Sequence, residues 1–361
     1  MIRNKLLILF LLLAIFQTSK GQDEVNNPIS FALKPQYGLI LPHSSKVEHL
    51  TNTNPFGLEF ELSWLMLKEK NWQQCNCFSK TGISFLYINY DNPEIVGSSF
   101  NLIGFAEPFF IRSNRFLFSA RMGVGLSFLD KIYDKVDNPD NTFFSTHLSF
   151  IVHIDINAYY QLNNNYSLMC FAKYNHISNG GVKQPNYGMN FPTFGIGVNY
   201  YPSKKLIFPE RNRQRFTPEM FYNVYFFGMI KKIKEDEYFP EVTTYVFGFY
   251  GLVGRTVSIL NGFSLGFEYI NDGGAKEEIE RKGVYKDHQK ISGLVGHHLL
   301  FGKFDFSQYW GTYIYAPYKP AIFFQRYSIS YKFNNHILGG VTLKAHGDAA
   351  DSFQILLGYS F

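Results

Sequence analysis

Gly57-Leu-Glu-Phe-Glu-Leu-Ser-Trp-Leu-Met66 sets Leu58, Phe60, Leu62, Trp64 and Met66 against Glu59, Glu61 and Ser63. The period is two, so an extended strand puts every one of those apolar side chains on one face and both carboxylates on the other. The split recurs in Ala120, Met122, Val124, Leu126 and Phe128 against Ser119, Arg121, Gly123, Gly125 and Ser127. It recurs again in Val152, Ile154, Ile156 and Ala158 against His153, Asp155 and Asn157. This alternation dominates from Ser30 onward, and amphipathic helical patterns are almost absent. A soluble sandwich and a membrane barrel share the pattern, so the connections have to decide between them.

Composition narrows the choice. Charged residues make up 17% of the 361 and aromatics 18%, with 38 Phe and 25 Tyr. That balance suits one greasy face and one wet face better than a compact soluble globule. Residues 1–21 read as a secretory signal: Arg3 and Lys5 form the basic region, Leu6 to Phe16 the apolar region, and Ser19-Lys20-Gly21 the small-residue cleavage site. No Cys follows the cleavage point, which argues against a lipoprotein anchor. Removing the signal takes three basic residues and no acid, lowering the formal charge from +5 to +2, so charge says little about an anionic partner. After the signal no window of ~20 uninterrupted apolar residues occurs, which excludes helical membrane spans and leaves a closed barrel as the way to cross a bilayer.

Strands are expected near 30–42, 55–68, 81–90, 98–112, 116–129, 144–162, 166–178 and 191–202 in the first half. The second half gives 218–232, 241–253, 257–270, 290–301, 303–315, 322–333, 337–346 and 352–361. Short turns such as Arg112-Ser-Asn-Arg115 and Asn163-Asn-Asn165 alternate with long polar loops at 43–54, 130–143 and 179–190. Outer-membrane barrels alternate in this way, with turns in the periplasm and loops outside. Segment 69–80 breaks the rule, being long where a short turn is expected.

The fold class is therefore all-β, a transmembrane antiparallel β-barrel of about sixteen strands, an even number that returns the C-terminus to the periplasm. One barrel of porin size is the first reading, and two eight-stranded units are the alternative. The domain division is a signal at 1–21, a barrel half at 22–202 carrying the candidate site, a periplasmic linker at 203–217, and a second barrel half at 218–361. The last strand alternates through Phe353, Ile355, Leu357, Tyr359 and Phe361, like the C-terminal signal read by the barrel assembly machinery.

Reactive side chains concentrate in Tyr174-Asn-His-Ile-Ser-Asn-Gly-Gly-Val-Lys-Gln-Pro-Asn-Tyr-Gly-Met-Asn190. In the strand ending at 178 the even positions Leu168, Cys170, Ala172 and Tyr174 are the apolar set, so His176 and Ser178 project toward lipid. In the returning strand Phe194, Ile196 and Val198 mark the same parity for Asn190. A polar trio on a lipid-facing surface is costly and calls for a reason. Acyl transfer supplies one: His176 takes the Ser178 proton, Ser178 attacks an ester carbonyl, and Asn190 orients the imidazole. Backbone N–H groups of Asn179, Gly180 or Gly181 are candidates for an oxyanion hole, since Gly permits tight local geometry.

At these residues the chain resembles the outer-membrane lipid A 3-O-deacylase family, through His176-Ile-Ser178-Asn179-Gly180-Gly181-Val-Lys183-Gln184-Pro185-Asn186-Tyr-Gly188. The resemblance implies an eight-stranded barrel, an exposed Ser/His pair on its outer surface, and hydrolysis of an ester-linked 3-hydroxyacyl chain of lipid A. It adds Lys183 and Asn186 to the candidate substrate-binding residues. The family usually has Glu as third member where this chain has Asn190. A weaker similarity is to outer-membrane phospholipase A, which also places an Asn twelve residues after the Ser of a His-x-Ser-Asn-Gly motif. The second half lies outside the deacylase family's usual length.

The implied partners are lipid A or lipopolysaccharide of the outer leaflet, the membrane and the assembly machinery, with no nucleic acid and no cofactor; the oligomeric state stays open. A non-enzymatic porin or adhesin is the rival from another class. Other features weigh less. Cys75-Asn-Cys77 reads as a turn with or without a local disulfide, since a metal site needs more ligands. His297 and His298, adjacent in a strand, point to opposite faces and do not ligate together. His346 shares parity with Thr342 and Lys344 on the lumen side, and Lys276 to Lys282 reads as a solvated charged loop.

Overall fold

The computed structural model describes residues 27–361, apart from 114, 203–207, 214, 234, 236, 319, 320 and 348. The signal expected at 1–21 and part of the 203–217 linker lie outside the described residues.

The first eight strands are β1 (Ile29–Gly38), β2 (Phe56–Met66), β3 (Phe78–Asn89), β4 (Ser98–Arg112), β5 (Phe116–Leu129), β6 (Leu148–Gln161), β7 (Tyr166–Ser178) and β8 (Met189–Tyr200). They form a closed antiparallel barrel in sequence order. Closure comes from β1 pairing with β8, with Leu33 opposite Val198 and Phe31 opposite Tyr200.

The second eight are β9 (Met220–Ile233), β10 (Val242–Thr256), β11 (Asn261–Asp272), β12 (Gln289–Phe301), β13 (Phe304–Tyr315), β14 (Phe323–Lys332), β15 (Ile337–His346) and β16 (Ala349–Ser360). They close separately, Tyr359 and Leu357 of β16 lying opposite Val224 and Phe226 of β9. The single sixteen-stranded barrel is thus replaced by its alternative, two units of eight.

The physical reason lies in the lumen, where alternation along a strand is silent about distant pairing. Arg121 on β5 reaches Glu61 on β2 at 3.0 Å, and Lys34 on β1 bridges Glu59 at 2.8 Å and Glu61 at 3.2 Å. Lys173 on β7 also pairs with Glu59, and Lys80 on β3 bridges Glu61 and Glu107. All of these charged groups are buried. Opposite walls can neutralise one another in this way only across a ring as narrow as eight strands, whose interior side chains just fill. The second lumen repeats the solution with Glu268, held by Lys344 at 2.8 Å and by Arg326, among Tyr225, Tyr250, Tyr309 and Tyr313.

The outer faces carry exposed Leu58, Phe60, Ile83, Phe85, Leu102, Val152, Ile154 and Ile156. Charge inside and hydrocarbon outside invert the plan of a soluble protein and match a barrel bathed in lipid. None of the described helices is long and apolar enough to cross a membrane, and the strands do the crossing.

Both ends of the first barrel are packed. At the long-loop end Val47, Leu50, Tyr90, Val96, Phe143 and Phe144 cluster with Ile177, Met189 and Phe191. At the other end the connection between β2 and β3 holds helix α1 (Glu69–Trp72) and a Cys75–Cys77 disulfide. There Leu67, Trp72 and Phe78 form a second cluster, capped by Phe208 from the connection between the barrels. The Phe208 and Phe78 rings sit 5.3 Å apart.

The charged run at 276–282 is not a simple loop. Most of it belongs to helix α2 (Gly273–Arg281), started by Asp272, whose carboxylate accepts from the Ala275 N–H at 3.0 Å. Arg281 pairs with Glu277 one turn back. Residues 254–256, between the strands expected at 241–253 and 257–270, are strand, and the chain reverses just after them at 257–260.

Candidate active site

His176 on β7 lies directly opposite Asn190 on β8 and Val152 on β6, and Ser178 lies opposite Phe150 on β6. All three polar residues are on the outward face, half-buried, at the end of the first barrel that carries the long loops. Short turns mark the periplasmic end of such barrels, so this is the outer rim.

Ser178 Oγ is 3.1 Å from His176 Nε2, and His176 Nδ1 is 2.6 Å from Asn190 Oδ1. A carbonyl oxygen only accepts, so Nδ1 carries the proton and donates it to Asn190, and Nε2 is left as the acceptor for the Ser178 hydroxyl. Hydroxyl, imidazole and amide thus stand in one hydrogen-bonded line, the arrangement that acyl transfer by a serine requires. The period-two backbone produces it: residues two apart on β7 share a face, and strand pairing delivers the third.

The loop after Ser178 is braced by its own side chains. Asn179 N–H donates to Asn186 Oδ1 at 3.0 Å, and Gly181 N–H donates to Asn179 Oδ1 at 2.9 Å. Asn179 Nδ2 donates to the Lys183 carbonyl at 2.8 Å and to Ser145 Oγ at 3.1 Å, and Ser145 Oγ donates to the same carbonyl. Of the three candidate oxyanion donors, Asn179 and Gly181 are therefore spent within the loop. Gly180, with φ of +68°, takes no part as a donor in the hydrogen bonds among the described residues. Asn186 and Lys183 enter the site through this bracing, Asn186 by its side chain and Lys183 by its carbonyl.

Sequence reading missed several neighbours. A Cβ on Gly188 would stand 3.0 Å from His176 Cε1 and 3.1 Å from Ser178 Cβ, so only glycine fits beside the pair. His43 Nε2 meets the Tyr187 carbonyl at 2.9 Å, and the Lys46 ammonium sits over the Tyr187 ring at 5.4 Å. That hydrogen-bonding ring also raises the Lys46 pKa above its ordinary value. His43 and Lys46 come from the β1–β2 loop, far from the motif in sequence, and carry no local signal.

A similar line of atoms lies inside the second barrel, where Ser264 Oγ is 2.8 Å from His298 Nε2 and His298 Nδ1 is 2.8 Å from Asp305 Oδ2. His298 is 0% exposed and Ser264 4%, so this line is closed to an ester and fills the lumen. His297 points the other way and meets Asn261 Oδ1 at 2.9 Å. His346 Nε2 meets the Tyr313 hydroxyl at 3.0 Å.

The fold defines a β-barrel protein of the outer-membrane type. Residues 56–199 match the model described as lipid A 3-O-deacylase (PagL), and residues 220–361 match acyloxyacyl hydrolase, C-terminal domain. The two matches take in most of both barrels and mark the chain as an acyl ester hydrolase, its first barrel similar to the lipid A 3-O-deacylase family. Among solved structures, the outer membrane enzyme PagL is 17% identical over 46% of this chain and 97% of its own, with a TM-score of 0.33. The beta domain of the Bordetella autotransporter BrkA is 7% identical over 93% of this chain and 99% of its own, at 0.27. The siderophore receptor PirA from Acinetobacter baumannii is 8% identical over 91% and 45%, at 0.24. No curated protein matches the chain.

Proposed function

We propose that the chain is a serine esterase that removes an ester-linked 3-hydroxyacyl chain from lipid A in the outer leaflet, with Ser178 as nucleophile. The observation that carries this reading is the outward-facing line Ser178–His176–Asn190, with its 3.1 Å and 2.6 Å contacts. His176 Nε2 takes the hydroxyl proton as Ser178 Oγ bonds to the ester carbon. The tetrahedral oxyanion takes the Gly180 N–H. Collapse breaks the bond to the sugar oxygen, which leaves with the proton from His176, and Ser178 stays acylated. Water, deprotonated by His176, then attacks the acyl carbon; the free 3-hydroxy acid leaves and Ser178 regains its proton.

Asn190 supports the reading by holding the tautomer that leaves Nε2 basic, a task an amide oxygen performs as a carboxylate would, with less stabilisation of the imidazolium. The partners of this reading are lipid A or lipopolysaccharide, the membrane, and the barrel assembly machinery. Both lumens are filled by side chains, which speaks against a pore.

Phospholipase action is the second reading, favoured by an amide rather than a carboxylate on His176. Mass spectrometry of lipid A and phospholipids from cells expressing the intact chain or Ser178→Ala decides between them. Loss of one 3-hydroxyacyl chain from lipid A with the intact chain alone supports the proposal. Loss from phospholipid alone promotes the rival, and no acyl loss from either overturns the enzyme mechanism.

A further inference from the structure

The tip of β16 in the second barrel reaches the catalytic loop of the first. The Phe353 ring stacks on Phe150, with centroids 5.1 Å apart and planes 22° from parallel. A Cβ on Gly180 would come 3.1 Å from Phe353 Cβ, and one on Gly181 would come 3.8 Å from the Asp351 carbonyl oxygen. The contact leaves a trace in exposure. Phe353 is half-buried, whereas Ile355 and Leu357, next along the same outward face, are 72% and 61% exposed. Phe150 is 37% exposed, against 61% for Leu148, 43% for Val152 and 55% for Ile154 on its own face.

Phe150 lies directly opposite Ser178 in the β6–β7 pair, where side chains of facing residues touch. The flanks of Ser178 are therefore unequal. Toward β8 stands Gly188, and along β7 stands His176, which is committed to proton transfer. Toward β6 lie the two phenyl rings, one from each barrel.

We propose that Phe150 and Phe353 form one apolar wall beside Ser178 against which the scissile acyl chain lies, so that the second barrel sets the chain-length preference of the first. The inference rests on the reading of Ser178 as nucleophile. A stacked aromatic pair offers methylenes a flat face, and each methylene that loses such a face is reflected in kcat/KM. Phe353 touches the substrate's tail and no reacting atom, so it is a specificity residue. Gly180, the candidate oxyanion donor, has so little space before Phe353 that a Cβ there would come 3.1 Å from the Phe353 Cβ, which places the wall beside the reacting centre.

The test uses the full chain in detergent micelles with p-nitrophenyl butanoate and p-nitrophenyl tetradecanoate. The quantity read is the ratio of kcat/KM for the long ester over the short one. Phe353→Ala is expected to lower that ratio about tenfold, the size of effect that lost apolar contact produces, with Phe353→Leu falling between. Phe150→Ala, on the other side of the stack, should shift it in the same direction. Retention of the heat-modifiable gel band shows that each variant is folded, and Phe353→Leu serves where the alanine variant is not. An unchanged ratio in folded Phe353 variants overturns the inference, and so does a shift confined to Phe150→Ala. Ser178→Ala separates the two claims. If it cleaves both esters undiminished, the nucleophile reading fails. If it is inactive while the Phe353 ratio stays constant, only the wall fails.

Discussion

His176 donates from Nδ1 to Asn190 Oδ1 across 2.6 Å, between two residues that face each other in the β7–β8 pair. The bond needs no loop to form it, because strand register alone brings the two side chains together. Asn190→Ala removes the group that selects the tautomer, and kcat for ester hydrolysis should fall on the order of 10²-fold with KM little changed. Asn190→Glu, which restores the carboxylate usual in the family, should keep the rate within about tenfold of the native chain. Steady-state kinetics on a lipid ester read both outcomes.

Gly188 leaves no room for a methyl group, since a Cβ would stand 3.0 Å from the imidazole and 3.1 Å from Ser178 Cβ. Its φ of +68° is a second objection to any other residue. Gly188→Ala should displace His176 from Ser178 and lower kcat about 10²-fold, leaving the barrel folded by gel mobility.

Arg121 sits among Glu59, Glu61 and Asp155, at 3.5, 3.0 and 3.8 Å, with its guanidinium over the Phe105 ring. Arg121→Met leaves three buried carboxylates short of a cation. It should cost roughly 3–5 kcal/mol of unfolding free energy, as breaking a buried ion pair does. Denaturant unfolding followed by tryptophan fluorescence measures it.

Ile154, midway along β6 and 55% exposed, faces lipid. Ile154→Arg should destabilise the chain by roughly 2–4 kcal/mol in a bilayer, the cost of an arginine near the membrane midplane. Vesicle-based unfolding reads the difference. A neutral outcome would move this face out of the hydrocarbon.

Most of the strands and the parity of the site were legible in the sequence, because both depend on a period of two. Leu58 and Phe60 against Glu59 and Glu61 already say which way β2 faces, and even parity for His176, Ser178 and Asn190 places all three on one outer surface. Closure was not legible. Whether β1 meets β8 or β16 depends on charges such as Lys34, Arg121 and Lys173 converging on β2 across the lumen, a relationship between distant strands that no local pattern records. The second barrel's reach to Phe150 was hidden for the same reason, since Phe353 lies far from it in sequence. Three backbone N–H groups look available for an oxyanion in the sequence, but the Asn186 and Asn179 side chains accept from two of them, those of Asn179 and Gly181. The charges at 276–282 look like a solvated loop in the sequence and mask the Asp272 cap and the buried Ala275 and Ile279 that make it helix.

In the proposed mechanism His176 makes Ser178 nucleophilic. A fluorophosphonate probe applied to the folded full-length chain, followed by tandem mass spectrometry, tests it most directly. One adduct on Ser178 is expected, absent in His176→Ala and strongly reduced in Asn190→Ala. Inactivation by an adduct on another serine, or labelling of Ser178 that persists undiminished in His176→Ala, would contradict it.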